Sequence, residues 1–439
     1  MIYYIRAAKI KFLTKYFEGH CSLLTDHCSL LTDMLYIKLA WRNIWRNKRR
    51  TLITMASVIM AVLLASVMSS MQQGQYDQMI DNTVGSFSGH IQVQAEGYFE
   101  ESTLENSFEP DSTLFQQLQN FEGIRAMVPR IDSYALTAGH DRSRASMVVG
   151  IDVEAEKELS EPDQKIVDGN YFNRNDENGI LVAQGLADFL KVEVGDTLVL
   201  LGQGFRGMSA NGAFPISGIM KFGIPEMNNS IVYLPLETAQ NLYGAYDRLT
   251  AAVILVDDPK EVNEIANRLS GEINGELAVL AWQTLMPDLV QAIEADAGSS
   301  FIILLILYMV VGFGILGTVL MMTAERSYEF GVMIAIGTAR LSMAVMLILE
   351  MIFITLMGTL AGIFVSLPII YYFNVNPLYF TGEAALAIEE YGMEPFVQFS
   401  MDPSILITQA LIVLVLTFLI SVYPILHMRK LKPVKAMRA

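Results

Sequence analysis

The stretch TLITMASVIMAVLLASVMSSM, residues Thr51–Met71, contains no charged side chain. A helix needs about 20 apolar residues to cross the hydrocarbon core of a bilayer, so this stretch predicts a membrane span. Its Ala, Ser and Met residues are small or pliable, which favours packing against another helix over contact with lipid.

Three more stretches, at 301–323, 342–373 and 404–426, are equally long and apolar. The composition agrees, with 52% hydrophobic and 17% charged residues and a mean hydropathy of +0.38. This composition excludes a disordered or fibrous protein. The sequence therefore predicts a membrane α-helical protein with one span before a large intervening region and three spans after it.

The charges are segregated along the chain. Residues 72–299 hold 13 Lys and Arg against 35 Asp and Glu, a net charge of −22, whereas the other residues hold 17 against 11, a net charge of +6. Basic flanks are typical of the cytoplasmic side. We therefore expect both termini, the segment 324–341 and the basic tail 427–439 to be cytoplasmic, and residues 72–299 and the acidic loop 374–403 to be external. Both cysteines, Cys21 and Cys28, precede the first span, so we expect no disulfide in the external domain.

The N-terminal region contains the heptapeptide HCSLLTD twice in succession, at His20–Asp26 and His27–Asp33. Two His-Cys pairs would offer four zinc ligands, but zinc sites usually space their ligands two to five residues apart. We interpret residues 1–33 as a non-functional extension upstream of a start at Met34. Residues 34–50 alternate apolar and basic side chains and include Trp41 and Trp45, which predicts an amphipathic helix in the membrane interface.

Residues 72–299 combine two kinds of segment. Short β-branched runs bounded by Gly, Asn, Asp or Pro predict strands, and segments such as DSTLFQQLQNF and DPKEVNEIANRLSGEI have helical spacing. We predict a large α+β domain that is able to fold alone, with an arrangement in two lobes left open.

The sequence contains no enzyme signature. Gly312, Gly314 and Gly317 spell GxGxxG inside an apolar span without a preceding strand, so we interpret them, like Gly358 and Gly362, as contacts between helices. The chain has no GxxxxGK[ST] motif, and His90 and His140 are isolated. We predict no catalytic residue, metal or cofactor on this chain, and no nucleic-acid partner.

The segment ERSYEFGVMIAIGTAR, Glu325–Arg340, lies between two predicted spans on the cytoplasmic side. It is short and amphipathic, and such an element can press into a groove of a soluble partner. An ordinary connecting loop is the alternative, although loops are seldom this apolar. Glu350 follows about eight residues into the third span, roughly 12 Å along the helix at 1.5 Å per residue, where a charge is costly. We expect Glu350 to have a structural partner in preference to a role in proton transport.

The Glu325–Arg340 segment resembles the ER-x-x-E-[IF]-G-x-x-x-A-[IL]-G signature of FtsX-type ABC permeases, a family that includes MacB and the lipoprotein-releasing Lol permeases. WRNIWRNKRRTLIT, Trp41–Thr54, resembles the basic entry helix of that family, and Gly179–Leu201 is similar to a stretch of its external domain. Trp282 resembles a tryptophan that precedes the second span in Lol permeases, which favours the lipoprotein branch.

The resemblance implies a mechanotransmission complex of two permease protomers, identical or different, and two ABC ATPase subunits that bind the ATP and magnesium. Seven residues would couple this chain to the ATPase: Glu325, Arg326, Glu329, Phe330, Gly331, Ile336 and Gly337. For a Lol-like member in the bacterial inner membrane the substrate is a lipoprotein, and seven residues would line its acyl slot: Met55, Val62, Met68, Phe301, Leu304, Leu305 and Tyr308. Plain helix packing is the alternative for this second set.

The hairpin tip at 202–212 is rich in glycine and resembles in position a loop with which Lol permeases recruit a periplasmic carrier. Gly204, Phe205, Arg206 and Met208 are the candidate residues, and an inert turn is the alternative. Two other functions stay open: a MacB-type export permease with a separate ATPase and a periplasmic adaptor, and a non-transporting FtsX-like regulator of a cell-wall hydrolase, which usually has a far smaller external domain.

Overall fold

The computed structural model describes residues 38–46, 48–174, 178–273, 276–390 and 395–430. The HCSLLTD repeat, both cysteines, Met34 and the end of the basic tail lie outside the described residues. The chain forms two compact units. We call the first the membrane unit; it consists of three segments, the described residues up to Gln73, Gly298–Asn376, and the described residues from Phe399 onward. We call the second the outer unit; it consists of Gly74–Ala297 and Pro377–Gln398.

Four described helices are long and apolar enough to cross a membrane, which confirms the predicted one-plus-three arrangement. They run over Lys48–Ile80, Pro287–Glu325, Arg340–Val375 and Pro403–Lys430, and we call them the first to fourth span helices. A shorter helix covers 38–46. The first two span helices have 33 and 39 residues and extend beyond the predicted spans 51–71 and 301–323. Hydropathy marks only the apolar part of a helix, whereas the helical backbone continues through polar sequence such as Gln72–Ile80.

Glycine brings the first and third span helices together. A Cβ added at Gly358 would lie 2.9 Å from Val58 Cβ, and one added at Gly362 would lie 2.8 Å from Val62 Cβ. These contacts confirm the predicted role of Gly358 and Gly362 as close-packing points. Of the three glycines in the second span, only Gly312 has a neighbour within 4 Å, on the fourth span helix. For Gly314 and Gly317 no contact within the described chain is found.

The outer unit is built on one continuous ten-stranded sheet, which confirms the α+β class. The strand order is β10-β1-β9-β2-β3-β8-β5-β7-β4, with β6 pairing with both β2 and β7. Most pairs are antiparallel, and β3–β8 and β5–β7 are parallel. The strands are β1 Ile91–Ala95, β2 Ile124–Ala138, β3 Ser143–Ile151, β4 Ile166–Gly169, β5 Ile180–Ala183, β6 Thr197–Gln203, β7 Ser209–Met220, β8 Ile231–Pro235, β9 Ala251–Val256 and β10 Leu277–Ala281. A separate hairpin, β11 Leu378–Tyr379 with β12 Phe396–Val397, lies in the loop between the third and fourth spans.

Helices of the outer unit cover the two larger of its three apolar cores. Ser112–Gln119 and Val262–Glu272 pack on the core that includes Trp282, and Gln184–Leu190 and Leu236–Tyr243 pack on the other. Asp111 caps the first of these helices by accepting a hydrogen bond from the Thr113 N–H. The remaining elements are Asp81–Ser88, Leu104–Asn106, Ala155–Ser160, Pro162–Lys165, Phe205–Gly207, Pro225–Asn228, Pro259–Glu261, Trp282–Leu285 and Glu383–Glu390.

Candidate functional site

The segment between the second and third spans forms a helix, Ser327–Ala335, which we call the coupling helix. Arg326 has non-helical backbone angles, φ −94° and ψ 2°, and is the single residue that separates the second span helix from the coupling helix. At the other end Gly337 adopts φ +94°, a conformation that favours glycine, and lets the chain turn into the third span helix. A helix is therefore observed where a loop was the alternative.

Arg326 and Glu350 form a buried ion pair. Nη1 and Nη2 of Arg326 donate to the two carboxylate oxygens of Glu350 at 2.6 and 3.0 Å. The Arg326 side chain is 4% exposed and that of Glu350 is 0% exposed. The expectation that Glu350 has a structural partner is thus confirmed, and the partner belongs to the segment we assigned to ATPase coupling. Two parallel charge-assisted hydrogen bonds fix both the distance and the orientation of the pair.

Phe330 is also buried rather than available to a soluble partner. It packs with Met343 and Leu347 at the start of the third span helix, and Gly331 beside it is buried too. Arg326, Phe330 and Gly331 therefore lie on the covered side of the coupling segment, so any part they take in ATPase coupling is through contacts inside the membrane unit and not through direct contact with the ATPase.

The opposite side of the coupling segment is exposed, and it carries the remaining four candidates: Glu325, Glu329, Ile336 and Gly337. Ile336 is 40% exposed, so its apolar side chain is open to a partner. Glu329 accepts two hydrogen bonds from Arg46 Nη2, at 2.6 and 2.9 Å, so the N-terminal helix 38–46 is tied to the coupling helix.

The N-terminal helix also contacts the third span. Trp41 packs edge-on against Phe353 with ring centroids 6.0 Å apart, and Asn43 donates to the sulfur of Met346. Ala40 and Ile44 are buried, whereas Trp41 and Trp45 are about half exposed. The described part of this helix is therefore amphipathic, as the sequence predicted.

Two family models match this chain. The FtsX-like permease C-terminal model matches residues 301–433, which include the coupling helix, and the MacB-like periplasmic core domain model matches residues 51–272. The chain belongs to the FtsX/MacB-type family of ABC permeases. As an ABC permease it is a membrane subunit, and membership of this family implies an ATPase partner subunit.

Individual relatives of this permease are distant. It is 22% identical to "Lipoprotein-releasing system transmembrane protein LolC" of Neisseria meningitidis, over 88% of this chain and 94% of that protein. It is also 22% identical to "Uncharacterized ABC transporter permease YknZ" of Bacillus subtilis, over 74% of this chain and 84% of that protein. The match to "Macrolide export ATP-binding/permease protein MacB" of Hyphomonas neptunium, again 22% identical, covers 76% of this chain and 53% of that protein.

The structure does not bring all seven acyl-slot candidates of this permease to one surface. Val62 is fully buried against Gly362 and lines no open slot. Met55 lies 13 residues from Met68, about 20 Å along the helix, which exceeds the roughly 15 Å of one leaflet. Helix packing, the alternative for this set, explains Val62, and Met55 lies too far from Met68 to share a slot with it within one leaflet.

The other slot candidates lie near the external end of the bundle. Phe301 and Leu305 of the second span are 65% and 44% exposed, while Leu304 and Met68 are half-buried. Tyr308 is half-buried, and its hydroxyl is hydrogen-bonded to Gln409 of the fourth span.

A polar link that we did not predict joins three spans of the permease. Gln409 pairs with Tyr308 and also donates from Nε2 to Ser69 Oγ at 2.9 Å. The signal was present in the sequence, since Gln409 is an amide side chain inside an apolar run, and such residues commonly hydrogen-bond across helices.

The hairpin tip between β6 and β7 folds back on the outer unit. Gly204 is buried against the backbone of Tyr243, and Phe205 lies under the guanidinium of Arg248, whose Cζ is 4.6 Å from the ring centroid. Arg206 and Met208 are exposed, Met208 at 49%. Only these two of the four candidate residues are therefore available to a carrier.

A buried polar cluster, absent from our predictions, lies on β2. Arg130 donates to the two oxygens of Glu156 at 3.0 and 2.5 Å, and both side chains are inaccessible. Burial raises the pKa of nearby Asp132 to about 6, although Arg130 opposes this shift and Glu156 adds to it. The Asp132 atom Oδ1 has no hydrogen-bond partner among the described residues. The sequence did not predict this cluster, because the many charged residues of this acidic domain look alike in the sequence whether they are buried or exposed.

His90, which is isolated in the sequence, is buried in the outer unit. Its Nδ1 accepts a hydrogen bond from the Val256 N–H at 3.2 Å. Burial, followed by the charge of Arg125, lowers the pKa of this imidazole.

Proposed function

We propose that this permease extracts acylated lipoproteins from the outer leaflet of the bacterial inner membrane, using ATP hydrolysed by a separate subunit. The observation that carries the proposal is the extent of the match to LolC, which takes in 94% of that lipoprotein-releasing protein, including its membrane and external parts. By comparison, the match to the macrolide export protein of Hyphomonas neptunium covers 53% of that protein's length.

The physical requirement of such a reaction is an apolar surface for the acyl chain. Each methylene that leaves the bilayer for water costs about 0.8 kcal/mol, so extraction needs an alternative apolar surface together with work from ATP. Phe301 and Leu305 offer exposed apolar area near the external end of the second span, and Leu304 and Met68 extend it. A second protomer would complete this surface.

The remaining roles follow from exposure. In the proposed complex two ATPase subunits bind ATP and magnesium and engage Ile336, Gly337, Glu325 and Glu329, while Arg206 and Met208 meet a periplasmic carrier. Both termini are cytoplasmic, and the outer unit is periplasmic.

The experiment is ATP-dependent release of a triacylated lipoprotein from proteoliposomes that contain the complex purified from its native membrane. We expect Phe301→Gln and Leu305→Gln to lower the release rate, because each places an amide on the acyl surface. Met321→Gln is the matched control, since Met321 is 58% exposed at the other end of the same span. Equal release by all three variants would contradict the acyl surface.

Export of MacB type is the second candidate, supported by the match of residues 51–272 to the MacB-like core domain and by the macrolide export relatives. Mass spectrometry of the purified complex separates the functions. A bound lipoprotein supports release, a periplasmic adaptor supports export, and a cell-wall hydrolase supports an FtsX-like regulator.

A further inference from the structure

The joint between the coupling helix and the membrane spans is a single residue. The second span helix ends at Glu325 and the coupling helix begins at Ser327, so only Arg326 lies between them. Its backbone departs from helical geometry, and a residue of that kind can act as a pivot. Without a further constraint, a displaced coupling helix could swing about Arg326 and leave the spans in place.

The side chain of Arg326 supplies that constraint. It reaches Glu350 of the third span helix through two parallel hydrogen bonds and has almost no exposure to solvent. Glu350 lies ten residues from the start of its helix at Arg340, about 15 Å along the axis. The pivot is thus attached to the body of the third span rather than to its end.

A second contact lies one turn further along the coupling helix. Phe330 packs into the pocket formed by Met343 and Leu347, and its N–H donates to the Arg326 carbonyl at 2.9 Å. The ion pair and this aromatic contact hold two points of the same helix on the same span. Two fixed points prevent translation of one helix relative to the other, and the two parallel hydrogen bonds of the ion pair restrict rotation about the line between these points.

The third span is in turn fitted tightly to the first. Gly358 and Gly362 contact Val58 and Val62 at distances that leave no room for a Cβ. Close-packed interfaces of this kind transmit displacement because they are poorly compressible.

We infer that the Arg326–Glu350 pair is a positioning pair that makes the coupling helix and the third span one rigid body, so that a push on the coupling helix moves the third span and, through Gly358 and Gly362, the first. The inference rests on the proposed coupling role of residues 324–341. It does not depend on the cargo.

The test is a distance measurement within the intact complex. Cys21 and Cys28 are replaced by serine, and spin labels are placed at Tyr328→Cys on the coupling helix and Leu356→Cys on the third span, positions that are 53% and 42% exposed. The distance is measured by pulsed electron resonance in nanodiscs, with the co-purifying ATPase free of nucleotide and then trapped with ATP and vanadate. With the native pair we expect one distance that is the same in both states.

Glu350→Gln and Arg326→Gln should shift this distance, or add a second one, only in the trapped state. The exchanged pair Arg326→Glu/Glu350→Arg should restore a single distance, and Arg326→Lys should give a partial shift because lysine cannot make two parallel bonds. Arg42→Gln, an exposed change on the N-terminal helix, is the matched control. If the glutamine variants do not insert, Arg326→Lys and Glu350→Asp are judged by the same criterion.

Two results overturn the inference. One is a nucleotide-dependent distance change with the native pair, which shows that the two helices move apart. The other is a set of variants with lower thermal stability but an unchanged distance, which shows that the pair serves folding alone. If the expected distances are observed but the complex releases no lipoprotein, the proposed function is rejected, whereas the rigid connection between the coupling helix and the third span is supported.

Discussion

Replacing Gly362 by alanine tests the packing of the first and third spans. The added Cβ would lie 2.8 Å from Val62 Cβ and 3.1 Å from its Cγ1, and 3.3 Å from the carbonyl oxygen of Ile59. Carbon atoms pack at about 3.5–4.0 Å, so the helices must separate by roughly 1 Å. Rotation of the valine cannot relieve the clash, because its Cβ is fixed to the backbone.

The expected magnitude follows from this geometry. Overpacking of a close contact costs about 1–3 kcal/mol, and alanine recovers up to about 1 kcal/mol through its higher helix propensity. We therefore expect Gly362→Ala to lower the free energy of unfolding by about 1–2 kcal/mol. Gly314→Ala in the second span is the control, since no atom lies within 4 Å of its added Cβ, and we expect it to be neutral or slightly stabilising.

The assay is reversible unfolding of the purified chain in mixed micelles, with increasing dodecyl sulfate and tryptophan fluorescence as the signal. In a Val62→Gly background, Gly362→Ala should cost less than it does in the native background, because the Cβ that the alanine meets is gone; the double-mutant cycle measures this difference. Equal stability of Gly362→Ala and Gly314→Ala would refute the close approach of the two helices.

Four further predictions follow from single contacts. Ile336→Glu should abolish co-purification of the ATPase in a pull-down without changing thermal stability, because Ile336 is exposed. In contrast, Phe330→Ala should lower the free energy of unfolding by about 3–5 kcal/mol, as seen in melting curves, because Phe330 is buried. Arg130→Met should destabilise the outer unit by about 3–5 kcal/mol because it leaves Glu156 buried and unpaired, and hydrogen exchange of β2 in the full chain measures this. The pKa of Asp132 is about 6 in the folded protein against an ordinary 3.8, so between these pH values the folded protein keeps a proton that the unfolded chain loses. The free energy of unfolding should therefore fall as pH rises from 3.8 to about 6, and Asp132→Asn should remove this dependence in melting curves. Arg206→Ala with Met208→Ala should slow transfer of lipoprotein to a carrier without lowering the melting temperature, and a lowered melting temperature would show a packing role instead.

The sequence predicted the architecture of the membrane unit because hydropathy and charge act over whole segments. Four apolar stretches are four span helices, and an acidic region of 228 residues between two of them is an α+β domain. Within that domain, the predicted helical segments DSTLFQQLQNF and DPKEVNEIANRLSGEI coincide with the helices Ser112–Gln119 and Val262–Glu272. The 15-residue strand β2 was missed, since its sequence IRAMVPRIDSYALTA mixes Arg, Asp and Pro with apolar residues.

The site was predictable only in part, because a one-dimensional pattern does not show which side of a short helix is covered. The segment 324–341 contains the short helix Ser327–Ala335, but the resemblance that assigned Arg326 to coupling does not show which side of that helix is covered. The structure buries Arg326 and exposes Ile336, the reverse of the usual preference of each residue type. Such a reversal requires a specific partner for the buried charge, and that partner lies 24 residues away on another helix.

The sequence shows that Glu350 lies inside an apolar span, where burying a charge costs free energy. A charge kept at such a position indicates that its pair with Arg326 has a purpose other than stability. A buried ion pair is seldom more stable than apolar residues of the same volume, so stability alone gives no reason to place one there. Arg326 and Glu350 instead fix an orientation: their two parallel hydrogen bonds allow one relative orientation of the coupling helix and the third span, and an apolar contact lacks this directionality. If orientation is the purpose, Glu350→Leu/Arg326→Leu should give a permease that melts no lower than the native protein and hydrolyses ATP with its partner, but releases substrate more slowly. A double leucine variant with native release would show that orientation is set elsewhere, at Phe330 and the glycine contacts.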